Sequence, residues 1–282
     1  MYNTALEALL ARVRTVDELH RMLAEGEVDL DLLLLDVSPL HGGVGGKYPG
    51  PGDFADPSAN RIYGTDDGET IHGTDRRDVI KAGAGDDTVF AKAGNDTVYG
   101  EGGDDTITGG DGNDRLSGGS GNDYLYAGDD GWLNILNGGR DVDTMFGSTL
   151  SNVIDIFQFT QAKDAPASSN PDHIDRILEF RDGEDFIHLV FDSNEFKPGH
   201  QGFVFVDEED AGEAGTIWFD KQNASASGSE GWISLIMHGH TDNDGAVDFS
   251  IGVTVLVDKD EIDVYAADAA YQALGVDDFI FG

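Results

Sequence analysis

Over residues 64–146 the chain repeats itself every nine residues. The successive blocks read GTDDGETIH, GTDRRDVIK, AGAGDDTVF, AKAGNDTVY, GEGGDDTIT, GGDGNDRLS and GGSGNDYLY. An irregular stretch of eleven, AGDDGWLNILN, follows, and then GGRDVDTMF. Position six holds Glu69, Asp78, Asp87, Asp96, Asp105, Asp114, Asp123, Asn134 and Asp143. Position eight holds Ile71, Ile80, Val89, Val98, Ile107, Leu116, Leu125, Leu136 and Met145. Acids make up only about one residue in five of this chain (55 of 282), so an acid on one phase and an apolar residue on another define a repeat, not a composition.

Each block has two physical parts. Residues seven to nine form a short strand with one inward apolar side chain and outward neighbours such as Thr88 and Thr97. Residues one to six carry glycines, which reach positive φ and permit a turn that β-branched residues could not follow. Strand and turn in alternation wind into a right-handed parallel solenoid with two strands per coil. A coil then spans eighteen residues, and turns eighteen apart stack at about 4.8 Å. Asp87, Asp105 and Asp123 fall on one side, and Asp78, Asp96 and Asp114 on the other. Stacked carboxylates repel unless a cation lies between them. Carboxylate and carbonyl oxygens suit Ca²⁺, whereas zinc would want nitrogen or sulfur ligands that these turns do not offer.

The blocks match G-G-x-G-x-D-x-U-x, and on those residues the chain resembles the RTX (repeats-in-toxin) proteins, whose β-roll binds calcium. The resemblance implies ligands from the sixth-position acids and from carbonyls near the second and fourth glycines. Carried over, these are Asp78, Gly83, Gly85, Asp87, Gly94, Asp96, Gly103, Asp105, Gly110, Gly112, Asp114, Gly119, Gly121 and Asp123. About three to five calcium ions are expected. Departures from the pattern include Glu69, which replaces the sixth-position Asp of the first block, Arg76 at the fourth glycine of the second, and Lys92 at the second glycine of the fourth. The irregular block at residues 127–137 is expected to interrupt or close the roll.

From residue 152 the glycine density falls and strand-like runs appear, among them VIDIFQF, DHIDRILEF, DFIHLVF, WISLIMH and FSIGVTVLV. They read as a β-sandwich or as an extension of the solenoid. Three segments, DHIDRILEFRDGEDFIHL, TDNDGAVDFSI and the terminal DDFIFG, resemble the C-terminal domain of serralysin-type, type I secreted proteins. That resemblance implies an uncleaved C-terminal export signal. The opening MYNTALEALLARVR has no apolar core long enough for a signal peptide, so no N-terminal export address is expected. Asn243-Asp244-Gly245 reads as a hairpin turn. Before the roll, Leu6, Leu9, Leu10 and Val13 lie at helical spacing, and Thr15 and Glu18 form a capping box for a second short helix.

The expected fold class is therefore mainly β: a right-handed parallel β-roll (a calcium-binding solenoid), then a β-sandwich-like C-terminal region, with a short N-terminal helical cap. The expected organisation is a helical cap or docking element at 1–40, a Gly/Pro-rich linker at 41–60, the RTX β-roll at 61–150, and a C-terminal β domain with a type I secretion signal at 151–282.

Charge narrows the partners. The 17 basic and 55 acidic groups give a net charge of −38, which repels nucleic acid and anionic membranes. The acids are 41 Asp and only 14 Glu, a bias toward turns and hard-cation sites over helices. There is no cysteine, which removes disulfides and thiolate metal sites. No apolar run reaches the roughly 18 residues of a membrane span.

Catalytic signatures are not found. The zinc sequence of serralysins is missing, G-x-S-x-G is missing, and GGVGGKY fails as a phosphate loop because His41 and Tyr48 stand at required positions. His238 and His240, two apart on a strand, read as polar residues on an exposed face before they read as a metal pair. The reading leans to a non-enzymatic, bacterial, secreted calcium-binding protein, extracellular or at the cell surface, whose roll folds on extracellular calcium. Its partners would be calcium and the type I secretion apparatus. Two alternatives stay open: a structural subunit of a surface layer, adhesin or matrix that self-assembles with calcium, and a polysaccharide-binding module related to those of alginate epimerases.

Overall fold

The computed structural model describes residues 59–131, 133–151, 153–161, 164–165, 172–181, 184–189, 204–205, 216–227, 230–241, 247–258 and 279–281. The helices and linker expected before residue 59, the expected turn at Asn243-Asp244-Gly245, and Trp132 lie outside them.

The nonapeptides supply β1 (Asn60–Tyr63), β2 (Thr70–His72), β3 (Asp78–Ala84), β4 (Thr88–Ala93), β5 (Thr97–Gly102), β6 (Thr106–Asp111), β7 (Arg115–Ser120) and β8 (Tyr124–Tyr126). Next come β9 (Leu133–Arg140), β10 (Thr144–Phe146), β11 (Ile154–Phe159), β12 (Asp175–Arg181) and β13 (Phe186–Leu189). The last are β14 (Val204–Phe205), β15 (Thr216–Ser227), β16 (Glu230–His240), β17 (Phe249–Asp258) and β18 (Phe279–Phe281). Strands β1 to β14 alternate between two sheets, and of the rest β15, β16 and β17 join the second and β18 the first. The first runs β1-β3-β5-β7-β9-β11-β13-β18 and the second β14-β15-β16-β17-β12-β10-β8-β6-β4-β2.

Register follows from the position-eight residues. In the first sheet Ile80 pairs with Val98 and Val98 with Leu116. In the second Val89 pairs with Ile107 and Ile107 with Leu125. Each step is eighteen residues and parallel, so identical phases stack and every position-eight side chain faces the space between the sheets. These residues are fully buried in one continuous apolar cluster. Each contributes about 1.5–3 kcal/mol by leaving water.

The roll does not end at the irregular block. Strand β9 pairs with β7 in parallel, Leu136 on Leu116, a step of twenty in place of eighteen. The two extra residues are taken up in the turn, where Gly128 and Gly131 have φ of 110° and 104° and Asp130 bridges to Asp111. A turn can lengthen without moving the apolar phase, because only strand residues set the inward face.

The later strands extend the same two sheets. Phe157 pairs with Leu136 and with Ile187 in the first sheet, and Ile177 pairs with Met145 and Val253 in the second. In the second sheet the stack of parallel coils gives way after β17. Strands β15, β16 and β17, ten to twelve residues each, pair antiparallel, and β14 pairs parallel with β15 at the edge.

Candidate metal centre

The sixth-position acids sit where turn meets strand, and their side chains bind the turns to one another. In each coil the backbone N–H donates to an oxygen of the equivalent acid one coil further on. Along the first sheet, Asp78 N–H donates to Asp96 Oδ1 (2.7 Å), Asp96 N–H to Asp114 Oδ1 (2.8 Å), and Asp114 N–H to Asn134 Oδ1 (3.0 Å). Along the second, Glu69 donates to Asp87, Asp87 to Asp105, Asp105 to Asp123, Asp123 to Asp143 and Asp143 to Asp175, all at 2.8 Å. These bonds form two columns of buried carboxylates, one beside each sheet.

Only one oxygen of each carboxylate is used in this way. The Oδ2 atoms of Asp87, Asp96, Asp105, Asp114, Asp123 and Asp143 are buried and have no hydrogen-bond partner. Four of them point at the glycine opening their own block: a Cβ placed on Gly100, Gly109, Gly118 or Gly138 would run into Oδ2 of Asp105, Asp114, Asp123 or Asp143. A buried acceptor without a donor costs about 1–3 kcal/mol, more when charged. Six of them in register mark the place of something electropositive.

The turn backbone completes the surroundings. Gly103 and Gly121 have φ of 125° and 123°, and a side chain on either would strike the carbonyl of Gly85 or Gly103 in the turn beneath. The turns therefore stack backbone on backbone, with carbonyl oxygens at their surfaces. Lys92 and Glu101, which replace second-position glycines, keep the left-handed conformation at φ of 85° and 74°. Their side chains leave the backbone path unchanged.

Electrostatics agrees with the geometry. Burial pushes the carboxyls of Asp96 and Asp123 up to about 7, of Asp105 to about 6 and of Asp114 to about 8. The donated N–H pulls each back and the neighbouring acids push it up again. Asp87 is raised for the same first reason. Asp143 reaches about 10, through burial and then the charges of Asp175 and Asp123. Ionising these groups where they stand requires a compensating cation. The donor set is oxygen throughout, matching the preference of calcium. The residues present thus fit the ion that the repeats imply.

All fourteen expected site residues lie in these stacked turns or the strands they feed. Asp78 differs from the other acids. Its Oδ1 accepts from Asn60 Nδ2 (2.7 Å) and its Oδ2 from Thr74 N–H (2.6 Å), with the Thr74 hydroxyl against both. Glu69 is capped alike by Thr65. Threonine at position two thus donates to the first acid of each column from within the chain.

Four ladder acids escaped the list of expected ligands: Asp143, Asp155, Asp175 and Asp185. Asp143 stands at position six of the last nonapeptide, and the signal for the other three was an acid two residues before an inward apolar residue, as in Asp155/Phe157, Asp175/Ile177 and Asp185/Ile187, without the glycines. The two histidines are not on an exposed face. His238 and His240 are buried on β16 beside Trp218, with ring centroids 5.3 Å and 4.9 Å from it, and His238 Nδ1 lies 2.8 Å from Ser250 Oγ.

A two-sheeted parallel roll with buried, cation-demanding aspartate columns in its turns defines a calcium-binding β-roll. The family described as RTX calcium-binding nonapeptide repeat matches in four copies, at residues 63–98 and 99–131, and this segment is an array of RTX calcium-binding repeats. Two solved structures from Azotobacter vinelandii are similar to the chain. The AlgE6R2 subunit of a mannuronan C5-epimerase is 22% identical, over 80% of this chain and 96% of that one, with a TM-score of 0.25. The AlgE6R3 subunit is 21% identical, over 78% and 86%, with a TM-score of 0.22. Comparison with curated proteins finds no match.

Proposed function

We propose that this is a secreted calcium-binding module whose roll folds as it takes up extracellular calcium, acting through binding and not through catalysis. The observation that carries the reading is the set of six buried aspartate oxygens without donors. Where calcium is scarce, those carboxylates and a net charge of −38 favour an open, exportable chain. At extracellular calcium, ion binding supplies folding free energy. Export by a type I route is part of the proposal and rests on the likeness of DHIDRILEFRDGEDFIHL, TDNDGAVDFSI and DDFIFG to segments of serralysin-type secreted proteins. Light scattering behind size exclusion, in millimolar calcium and again in chelator, tests the mechanism. The expected result is an expanded chain without calcium and a compact one with it. An unchanged radius overturns calcium-coupled folding.

One observation favours a glycan partner as a second reading. Positions seven and nine of the second sheet read Thr70, Thr88, Thr106, Tyr124 and Thr144, and His72, Phe90, Thr108, Tyr126 and Phe146. This outer column pair carries no carboxylate, and Phe90, Tyr124 and Tyr126 are exposed, with Tyr126 stacked on Phe146 at 4.4 Å. Polysaccharide retention that persists in calcium and disappears in Tyr126→Ala supports it. Retention unaffected by that change removes it.

A further inference from the structure

The two aspartate columns end differently. Beside the first sheet, the position after Asp114 is Asn134. Its Oδ1 accepts the Asp114 N–H, as an aspartate would, and its Nδ2 donates to Asp155 Oδ1 (2.9 Å). An amide hydrogen thus occupies the place of a cation. Beyond it, Asp155 Oδ2 accepts from Ser148 N–H (2.5 Å). Asp185 accepts the Asp155 and Arg181 N–H groups and the Arg181 guanidinium, each at 2.9 Å. Arg181 is itself buried, lies 4.0 Å from Asp155 Oδ2, and donates to the Leu150 and Val153 carbonyls. Both oxygens of Asp155 and both of Asp185 therefore have donors. The chain neutralises this end with its own amide and guanidinium.

Beside the second sheet the column runs on. Asp143 is fully buried, its Oδ1 takes the Asp123 N–H, and its Oδ2 faces Gly138 with no donor. The turn at residues 138–143 has only two of the pattern's glycines, yet it adopts the same path. Gly139 has a φ of 112° above the Gly119 carbonyl, and Asp141 stands left-handed at 80° where the fourth glycine would be. Val142 N–H reaches down to Asn122 Oδ1 (3.1 Å), docking this turn on the one beneath.

We propose that the turn at residues 138–143 is a further calcium site, with Asp143 as its carboxylate ligand, lying beyond the recognised repeats and on one column alone. The other column takes no ion past Asp114, because Asn134 and Arg181 stand in for the metal. The inference rests on the calcium reading above and deepens it. It makes the array asymmetric: Thr65 and Thr74 cap the first acids of both columns, while beyond the recognised repeats Asn134 and Arg181 neutralise the first sheet's column and the second still presents an open carboxylate oxygen at Asp143.

The test is a count of bound calcium on the full chain, by equilibrium dialysis and elemental analysis, in wild type and single variants. Asp143→Asn keeps the Oδ1 acceptor and removes the charge, a change that Asn134 already represents in the neighbouring column. It is expected to bind one ion fewer than wild type. Asp155→Asn is expected to bind the wild-type number. A full count in Asp143→Asn, or the loss of an ion in Asp155→Asn, overturns the proposal. Asn134→Asp provides a gain that does not depend on how Asp143→Asn folds: it places a carboxylate against Asp155 and is expected to add one ion, and an unchanged count overturns the claim that the amide ends that column. A wild type that binds no calcium rejects the functional reading itself, a result distinct from all of these.

Discussion

The sixth-position aspartate does two jobs with two oxygens. One accepts a backbone N–H from the adjacent coil and holds the turns in register; the other is left for a cation. The same burial that makes the first bond strong raises the carboxyl from an ordinary 3.8 to about 6–8 at Asp96, Asp105, Asp114 and Asp123. Because the folded state holds these protons more tightly than the unfolded chain, their contribution without calcium is present below about pH 4 and is lost as pH rises through 6 to 8. Calcium competes with those protons for the same oxygens. Its affinity is therefore expected to strengthen between pH 5.5 and pH 8, measured by calorimetric titration, and an affinity flat over that window contradicts the assignment. The period made Asp87, Asp96, Asp105, Asp114 and Asp123 legible as a set. It did not reveal that Thr74 already satisfies Asp78, since a threonine at position two looks in sequence like a lost glycine and acts in the structure as a donor.

At the scale of the element, each strand holds little by itself: three to eight residues across the roll, with one inward apolar side chain in a nonapeptide. Stability comes from stacking that side chain between two like it. Leu116 lies between Val98 and Leu136 and is fully buried. Leu116→Ala is expected to cost about 2–5 kcal/mol in urea unfolding at saturating calcium. A loss below about 1 kcal/mol would mean the coils repack freely and the column is not the core. Elements were easy to read where phase and glycine coincided. The eleven-residue block misled because its glycines are displaced, yet Leu136 returns to phase and the pairing continues through it. Strand phase is set by the apolar position, and a turn absorbs insertions by changing only its own backbone.

Among the described residues, two sheets pass from the repeats into the later strands without a break. Strands β9, β11 and β13 continue the first, and β10, β12 and β17 the second, so a boundary near residue 150 crosses both ladders and a shared apolar cluster. At saturating calcium, urea unfolding is therefore expected to be one transition, seen alike by far-ultraviolet circular dichroism and by tryptophan fluorescence. Trp218 and Trp232 lie on β15 and β16, so two separated transitions would show that the roll and the later strands fold independently. Solenoid stability passes between neighbours, and a calcium ion removed from one turn weakens the coils on either side.

From sequence alone came the nine-residue period, the eighteen-residue coil, the inward apolar phase, the aspartate columns and the choice of calcium. All of these are local: they follow from residue types recurring on a short period, and a parallel stack turns any such period into a column. Tertiary structure decided where the columns begin and end. Thr74, Asn134 and Arg181 are unremarkable as letters, and Arg181 lies 26 residues beyond Asp155 along the chain. Only folding brings their donors to buried carboxylates, and whether an oxygen already has a donor determines if it is left for a metal.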